Sequence, residues 1–331
     1  MPETNGSTRV VVATHGFCFD GMCSAALFTR LLRHMHPKES FDFRYHGLGY
    51  GPGQNGVDPK LLDGDVNAVL DFRFSTSPKL TWYFDHHVSA FPSADDKTTY
   101  EARAHVNGGE RRVFHDGAYG SCTKLITDVG AERFGLDAAP LAELVRWADM
   151  IDTASFPSAK MAVERSEPVL QLMTVVEHMG DDAFLSRMVP RLLEEPIMDV
   201  ARGDDVAKAF APLYEGQKAF VELVRTHAVE LGNVVLVDLT DTELEVAGKF
   251  VTYALYPKSA YSVLVSRGKG KLKISIGFNP WCNQTRTHNI AKICERHGGG
   301  GHPVVGAISL PVDKVEDAKK LAKEIAAELD T

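Results

Sequence analysis

The sequence predicts an α/β protein: a mostly parallel-sheet N-terminal domain, a helical connection and a smaller α/β C-terminal domain. Three observations carry that expectation. Short β-branched or aromatic runs alternate with helical periodicity through the first part of the chain, the pattern of strands joined by crossing helices. From Tyr119 to about His227 strand signals nearly vanish. From Asn233 onward strand runs return, interleaved with shorter helical stretches.

Taken in order, Arg9-Val10-Val11-Val12-Ala13-Thr14 is a β-branched run ending at His15-Gly16, and predicts a buried strand. Gly21 to Leu32 then carries apolar residues at helical spacing. Phe41 to Tyr45, Asn67 to Phe72 and Leu80 to Phe84 are the next strand candidates. Pro140, Pro157, Pro190 and Pro212 punctuate the helical stretch and are expected to break it. Glu164 to Glu230 reads as helices that close the first domain and bridge to the next. Asn233 to Val237 opens a strand, and Lys249 to Leu255 a helix. Tyr261 to Ser266 and Lys271 to Phe278 form a hairpin around Gly268-Lys269-Gly270. A helix from about Asn289 to Arg296, a strand from Val305 to Leu310 and an amphipathic helix from Val315 to Leu329 complete the chain.

At 331 residues the chain is long enough for two domains with a core each. Its 44% hydrophobic and 24% charged residues are ordinary for a globular protein. No apolar run approaches the roughly 20 residues of a membrane-spanning helix, and Met1 to Thr8 lacks the plan of a signal peptide. Cys18, Cys23, Cys122, Cys282 and Cys294 form no paired framework and no zinc-like spacing, so reduced thiols in a cytoplasmic protein are expected. The net charge of −8 argues against long nucleic acid, which is gripped through its phosphates by a basic surface. A nucleotide substrate would be short.

Chemistry concentrates where strands end. His15, Asp71 and Asp85 fall at or just past three predicted strands, and ligands bind beyond the carboxyl ends of parallel strands. Asp85-His86-His87 joins carboxylate oxygen to two imidazoles, a donor mixture suited to a divalent metal such as Mn²⁺, or to Fe, Co or Zn. One imidazole would ligate while the other faces substrate, with Asp85 orienting the pair. In Thr14-His15-Gly16-Phe17-Cys18-Phe19-Asp20-Gly21, His15 and Asp20 either turn to a metal or belong to a polar loop with Asp20 as helix N-cap. Asp71 needs a metal, Arg73 or a cap to offset its burial. Asp149 and Asp152, three apart on a helix, are either cation ligands or a solvated face. Gly298-Gly299-Gly300-Gly301-His302 is costly in conformational entropy. Either it is a linker, or its backbone cradles a phosphate with His302 donating to it. Arg286 is a second phosphate candidate and otherwise a surface arginine.

With these residues in this order, the chain resembles the DHH/DHHA1 phosphoesterase superfamily, which includes nanoRNases, pAp phosphatases, cyclic-di-AMP phosphodiesterases and RecJ-like exonucleases. The resemblance spans nearly the whole chain. It implies a DHH catalytic domain over residues 1–160, a helical connection over 161–231 and a DHHA1 substrate-binding domain over 232–331, with substrate held by the second domain across a cleft. It implies metal ligation by His15, Asp20, Asp71, His86 and Asp152, the last through its match to a DTxxF motif. Asp149 is the alternative to Asp152. Catalytic roles fall to His87 and Asp85, and substrate binding to Gly299, Gly300, Gly301, His302 and Arg286. One or two Mn²⁺ ions are the expected cofactor, and hydrolysis of very short nucleotides by a metal-activated water the expected reaction.

The chain departs from the family pattern in two places. Cys18 stands where the family's first motif carries an aspartate, so this position is either a softer metal ligand or a weakened one. Ser275 to Phe278 stands where related second domains commonly carry an arginine, for which Arg286 or Arg267 would substitute. Two further readings therefore stay open: a polyphosphate or pyrophosphate hydrolase, and a nucleotide-binding sensor that does not hydrolyse. A homodimer suits such a fold, though no motif specifies one.

Overall fold

The computed structural model describes residues 6–50, 56–104, 110–243, 248, 250–268 and 270–331. In chain order its elements are β1 (Thr8–His15), α1 (Phe19–Met35), β2 (Phe41–Leu48), β3 (Val66–Leu70), β4 (Trp82–Asp85), α2 (Ala94–Ala104), β5 (Val113–His115), α3 (Cys122–Phe134), α4 (Ala142–Asp152), α5 (Ala159–Glu164), α6 (Pro168–Met179), α7 (Asp182–Glu194), α8 (Ile197–Ala201), α9 (Asp204–His227), β6 (Ala228–Leu231), β7 (Val234–Glu243), α10 (Val251–Leu255), β8 (Tyr261–Gly268), β9 (Lys271–Phe278), α11 (Ile290–Arg296), β10 (Gly300–His302), β11 (Val305–Pro311) and α12 (Val315–Leu329). They fall into two compact units, Met1–Ser155 with Glu167–Phe210, and Phe156–Ser166 with Ala211–Thr331.

The first unit is built on a wholly parallel five-stranded sheet in the order β2-β1-β3-β4-β5. Val10 to Ala13 and Ala68 to Leu70 are fully buried, as the continuous apolar runs of a sheet covered on both faces require. Helix α1 buries most of its length and packs on α3, α4 and α7. The strand order reverses between β1 and β3, the point at which loops diverge and leave a crevice. Thr14 pairs with Leu70, and Leu70 with Phe84. The residues that follow each strand therefore emerge side by side.

Two of the four prolines expected to break the helical region do not. Pro190 lies inside α7 and Pro212 inside α9. Each removes one backbone donor at a cost of about 3 kcal/mol. In α7 the cost is offset by an N-cap at Asp181, which accepts from Phe184 N at 2.9 Å, and by the buried stripe Phe184, Leu185, Met188, Val189 and Leu192. Strand β3 stops at Leu70, short of the expected Phe72, because Asp71 takes a left-handed backbone. Strand β5 and helix α2 add to the expected elements; β5 is only three residues long, and α2 opens on a capping box between Ser93 and Asp96.

The second unit holds a mixed six-stranded sheet in the order β10-β11-β9-β8-β7-β6, antiparallel except between β7 and β8. Its core joins Val263, Ile274, Ile276 and Ile308 to Ile290, Ile293 and Ile325 of the helices. The expected hairpin is β8–β9. Its turn residue Lys269, and Lys249 at the expected start of α10, lie outside the described residues. No helix among the described residues is long and apolar enough to cross a membrane.

Candidate metal centre

At the reversal point of the parallel sheet, His15, Cys18, Asp20, Asp71, His86, His87 and Asp152 converge. Three strand ends, the turn into α1 and one helix end supply them. His15 ends β1, Asp71 follows β3, His86 and His87 follow β4, and Asp152 closes α4. Cys18 and Asp20 come from the turn into α1. That turn is held by Gly16 N donating to Leu48 O at 2.7 Å and Phe17 N to Gly180 O at 3.0 Å.

Asp71 is the hub. Its side chain is 1% exposed, and its two oxygens face different neighbours. Oδ2 lies 3.6 Å from His15 Nδ1 and 3.6 Å from Cys18 Sγ. Oδ1 lies 3.5 Å from His86 Nε2 and 3.6 Å from His87 Nδ1. His86 Nε2 is also 3.3 Å from Asp152 Oδ2 and 3.9 Å from Asp20 Oδ2. Yet Asp71 Oδ1, His86 Nε2 and His15 Nδ1 are buried atoms with no hydrogen-bond partner of proper geometry. Orphaned buried polar atoms are costly. Here they all point into one cluster of hard and borderline donors, which is what a divalent cation requires. The residues fit such an ion.

The electrostatics agree. Burial, then repulsion from Asp71, raises the carboxyl groups of Asp20 and Asp152 above the usual range. Burial also opposes the charged form of Asp71, but the close approach of the His15 and His86 imidazoles prevails and holds it at about 2. Burial works against a charged His86, and the surrounding Asp71, Asp20 and Asp152 overcome it, pushing its pKa up to about 9. Carboxylates that raise one another, beside an imidazole forced towards its cation, mark a site with surplus negative charge.

Each histidine is oriented from behind. His86 Nδ1 donates to Tyr119 O at 3.1 Å, a carbonyl that can only accept, so Nε2 is the atom presented to the cluster. His87 Nδ1 pairs with Asp85 Oδ1 at 2.8 Å. Asp85 is fully buried and also accepts from His86 N, His87 N and Tyr83 Oη. It fixes the His87 imidazole and the backbone of both histidines without joining the cluster. Its hydrogen bond is the main reason the pKa of His87 is raised. Asp20 does not cap its own helix: it sits in the first turn of α1, where Cys18 is the N-cap residue. Its carboxylate instead accepts from Cys122 N at 2.7 Å and Thr123 N at 3.0 Å at the start of α3. Asp149 is not brought into the cluster; Ser121 Oγ donates to its Oδ1 at 3.1 Å. Backbone strain gathers here too. Phe17, Asp71 and Ala154 all take left-handed φ near +50°, a conformation that costs about 1–3 kcal/mol and persists where surroundings enforce it.

Tyr83, Tyr119 and the α3 amides escaped the sequence reading. Only Tyr83 left a signal, since residues two apart on a strand share a face with Asp85.

In the second unit the glycine tract divides by role. Gly298 N donates to Glu295 O and Gly299 N to Cys294 O, with Gly298 at φ +72. This is a Schellman closure of α11. A side chain on Gly299 would collide with Ala307 O, and one on Gly301, at φ +157, with Val305 O. Gly300 alone in the tract has neither a left-handed backbone nor a neighbour within 4 Å of an added Cβ. His302 is exposed on the edge strand β10. Arg286 is tied to backbone, its Nη1 donating to His288 O at 2.7 Å and Pro303 O at 3.1 Å.

No family model matches the sequence, and no curated protein does. Solved structures do. A pGpG-specific phosphodiesterase from Vibrio cholerae superposes with a TM-score of 0.67 at 18% identity, covering 97% of this chain and 99% of its own. The DHH domain of a protein assigned to a ribosomal-protein family gives 0.62 at 13% identity, over 98% and 88%. RecJ from Thermus thermophilus, in complex with Mn²⁺, gives 0.52 at 13% identity, over 97% of this chain and 52% of RecJ. At these identities the likeness is one of fold.

Proposed function

We propose that this chain, which has the fold of the DHH phosphoesterases, hydrolyses phosphoester bonds in very short nucleotides with the help of divalent metal. The observation that carries the reading is Asp71, buried and unpaired at Oδ1 between two imidazole-bearing groups of ligands. His15, Asp20, Asp71, His86 and Asp152 would hold the cations, Mn²⁺ before Fe, Co or Zn. When bound, such ions supply positive charge that acidifies water near neutral pH and offsets the charge of a phosphoryl group.

The chain's own residues do the rest. Asp85 keeps the Nδ1 proton of His87 engaged, which leaves Nε2 for a phosphoryl or leaving-group oxygen. The hydrogen bond to Asp85 raises the pKa of His87, which favours a proton on that atom. In the second unit, Gly300 and His302 are the groups assigned to a substrate phosphate, since Gly300 has no packing reason to be glycine. The acidic balance of the chain favours a small substrate. Linear dinucleotides head the list because the neighbour matched over 99% of its own length is named as a pGpG-specific phosphodiesterase.

The test is chromatography of products after incubation with Mn²⁺ and a mixture of pGpG, pApA, cyclic-di-AMP, cyclic-di-GMP, pAp and polyphosphate. We expect a linear dinucleotide to disappear as mononucleotide forms, with the reaction stopped by chelator and absent from His86→Ala. Survival of every component would turn the reading towards a nucleotide-binding protein without hydrolysis.

A further inference from the structure

We propose that Cys18 is a metal ligand, and that His15, Cys18 and Asp71 form a position selective for a thiophilic ion such as Zn²⁺, Fe²⁺ or Co²⁺. Asp20, His86 and Asp152, with the second oxygen of Asp71, form a harder position that accepts Mn²⁺. The chain is thus built for two unlike ions. This inference rests on the metal-centre reading of the same cluster.

Three observations carry it. First, Cys18 Sγ lies within 4.8 Å of ligand atoms of both His15 and Asp71, a grouping separate from that of Asp20, His86 and Asp152. Second, the groups facing it suit a cation: His15 Nδ1 is buried without a completed hydrogen bond, and Asp71, 1% exposed, turns Oδ2 towards both the thiol and that imidazole. An imidazole nitrogen, a thiol and a carboxylate oxygen turned towards one another are the donor set of a borderline-soft cation. Third, the thiol is engaged only inside the cluster, where Sγ donates to Asp71 Oδ2 at 3.6 Å. Cys18 occupies the N-cap of α1, where a serine, threonine or aspartate would bond an amide, and makes no side-chain cap. Among the other cysteines, Cys122 donates to Phe84 O and Cys282 to Asn279 O, while Cys23 and Cys294 are buried small side chains.

On coordination the thiol gives its proton to solvent, and the thiolate left behind carries the same single charge as a carboxylate. Charge at the position is unchanged relative to an aspartate there; only its softness differs. Oδ2 of Asp71 serves the thiolate position and Oδ1 the harder one. The turn from His15 to Cys18 is pinned by Leu48 O and Gly180 O, which fixes the spacing of its two ligands.

The test is Co²⁺ titration of the reduced, metal-free full chain without oxygen, read by absorption. Wild type should develop a near-ultraviolet sulfur-to-cobalt charge-transfer band that saturates with the first equivalent. The band should be lost in Cys18→Ser and Cys18→Asp and kept in Cys282→Ser. Cys18→Asp should still bind two ions and accept Mn²⁺ at both positions. Binding of Co²⁺ by wild type with no such band would overturn the thiolate assignment and leave the metal centre standing, as would a band that survives in both Cys18 variants. Failure of wild type to bind Co²⁺ at all would overturn the metal centre as well.

Discussion

Asp85 and Asp152 are both acids near the cluster, and their surroundings ask opposite things of them. Asp85 accepts four hydrogen bonds and touches the chemistry only through His87. Asp85→Asn should leave metal content unchanged and slow turnover about 10–100-fold, the usual effect of loosening a group behind a ligand or catalytic imidazole. Loss of metal in that variant would instead make Asp85 a ligand. Asp152 has its carboxyl raised by burial and by Asp71. In metal-free protein the folded state therefore binds its proton more readily than the unfolded chain, and stability falls as pH rises through that window. Asp152→Asn should raise the metal-free melting temperature at neutral pH, and the gain should vanish below about pH 4, the unfolded carboxylate range. An equal gain at both pH values would remove the charge argument.

At the scale of elements, strand ends and helix ends carry the site, and the glycine tract shows how closely sequence and packing are matched. Gly300→Val meets open space and should keep the melting temperature of the second unit while weakening turnover on the true substrate. Gly301→Ala places a Cβ against Val305 O at φ +157 and should destabilise that unit by about 1–3 kcal/mol in denaturant titration. Unchanged kinetics in Gly300→Val would leave the tract as a helix closure and strand alone. Sequence reading found the parts that are local. Asp71, His86 and His87 end apolar strands, and Val315–Leu329 shows its amphipathic face directly. It missed what depends on partners far along the chain. Asp20 meets the α3 amides 102 residues away, and Pro190 sits in a helix that packing retains. Strand β5 exists because β4 offers an edge to pair with.

Across the whole molecule, the two units place different demands on a ligand. All candidate metal ligands lie in the first unit, and the glycine tract in the second. Mn²⁺ should therefore raise the stability of the first unit, by about 2.7 kcal/mol at a hundred times its dissociation constant, and leave a separately resolved second transition unmoved. Fluorescence or calorimetric melts with and without chelator would show it. The alternation of strands and helices follows from hydrophobic patterning, which is why the fold class was legible, while the strand order of each sheet was not. Which oxygen of Asp71 faces which histidine was not, because it depends on a left-handed residue that no local pattern announces.

Whether Asp71 joins two metal positions is decided by metal content, measured by mass spectrometry on wild type and Asp71→Asn after loading and dialysis. Asparagine keeps the shape of the hub and tolerates its left-handed backbone, so what changes is the charge shared between the two groups of ligands. A bridging Asp71 requires about two ions per wild-type chain and loss of both in the variant. A full complement retained by Asp71→Asn, or none in wild type, would contradict it.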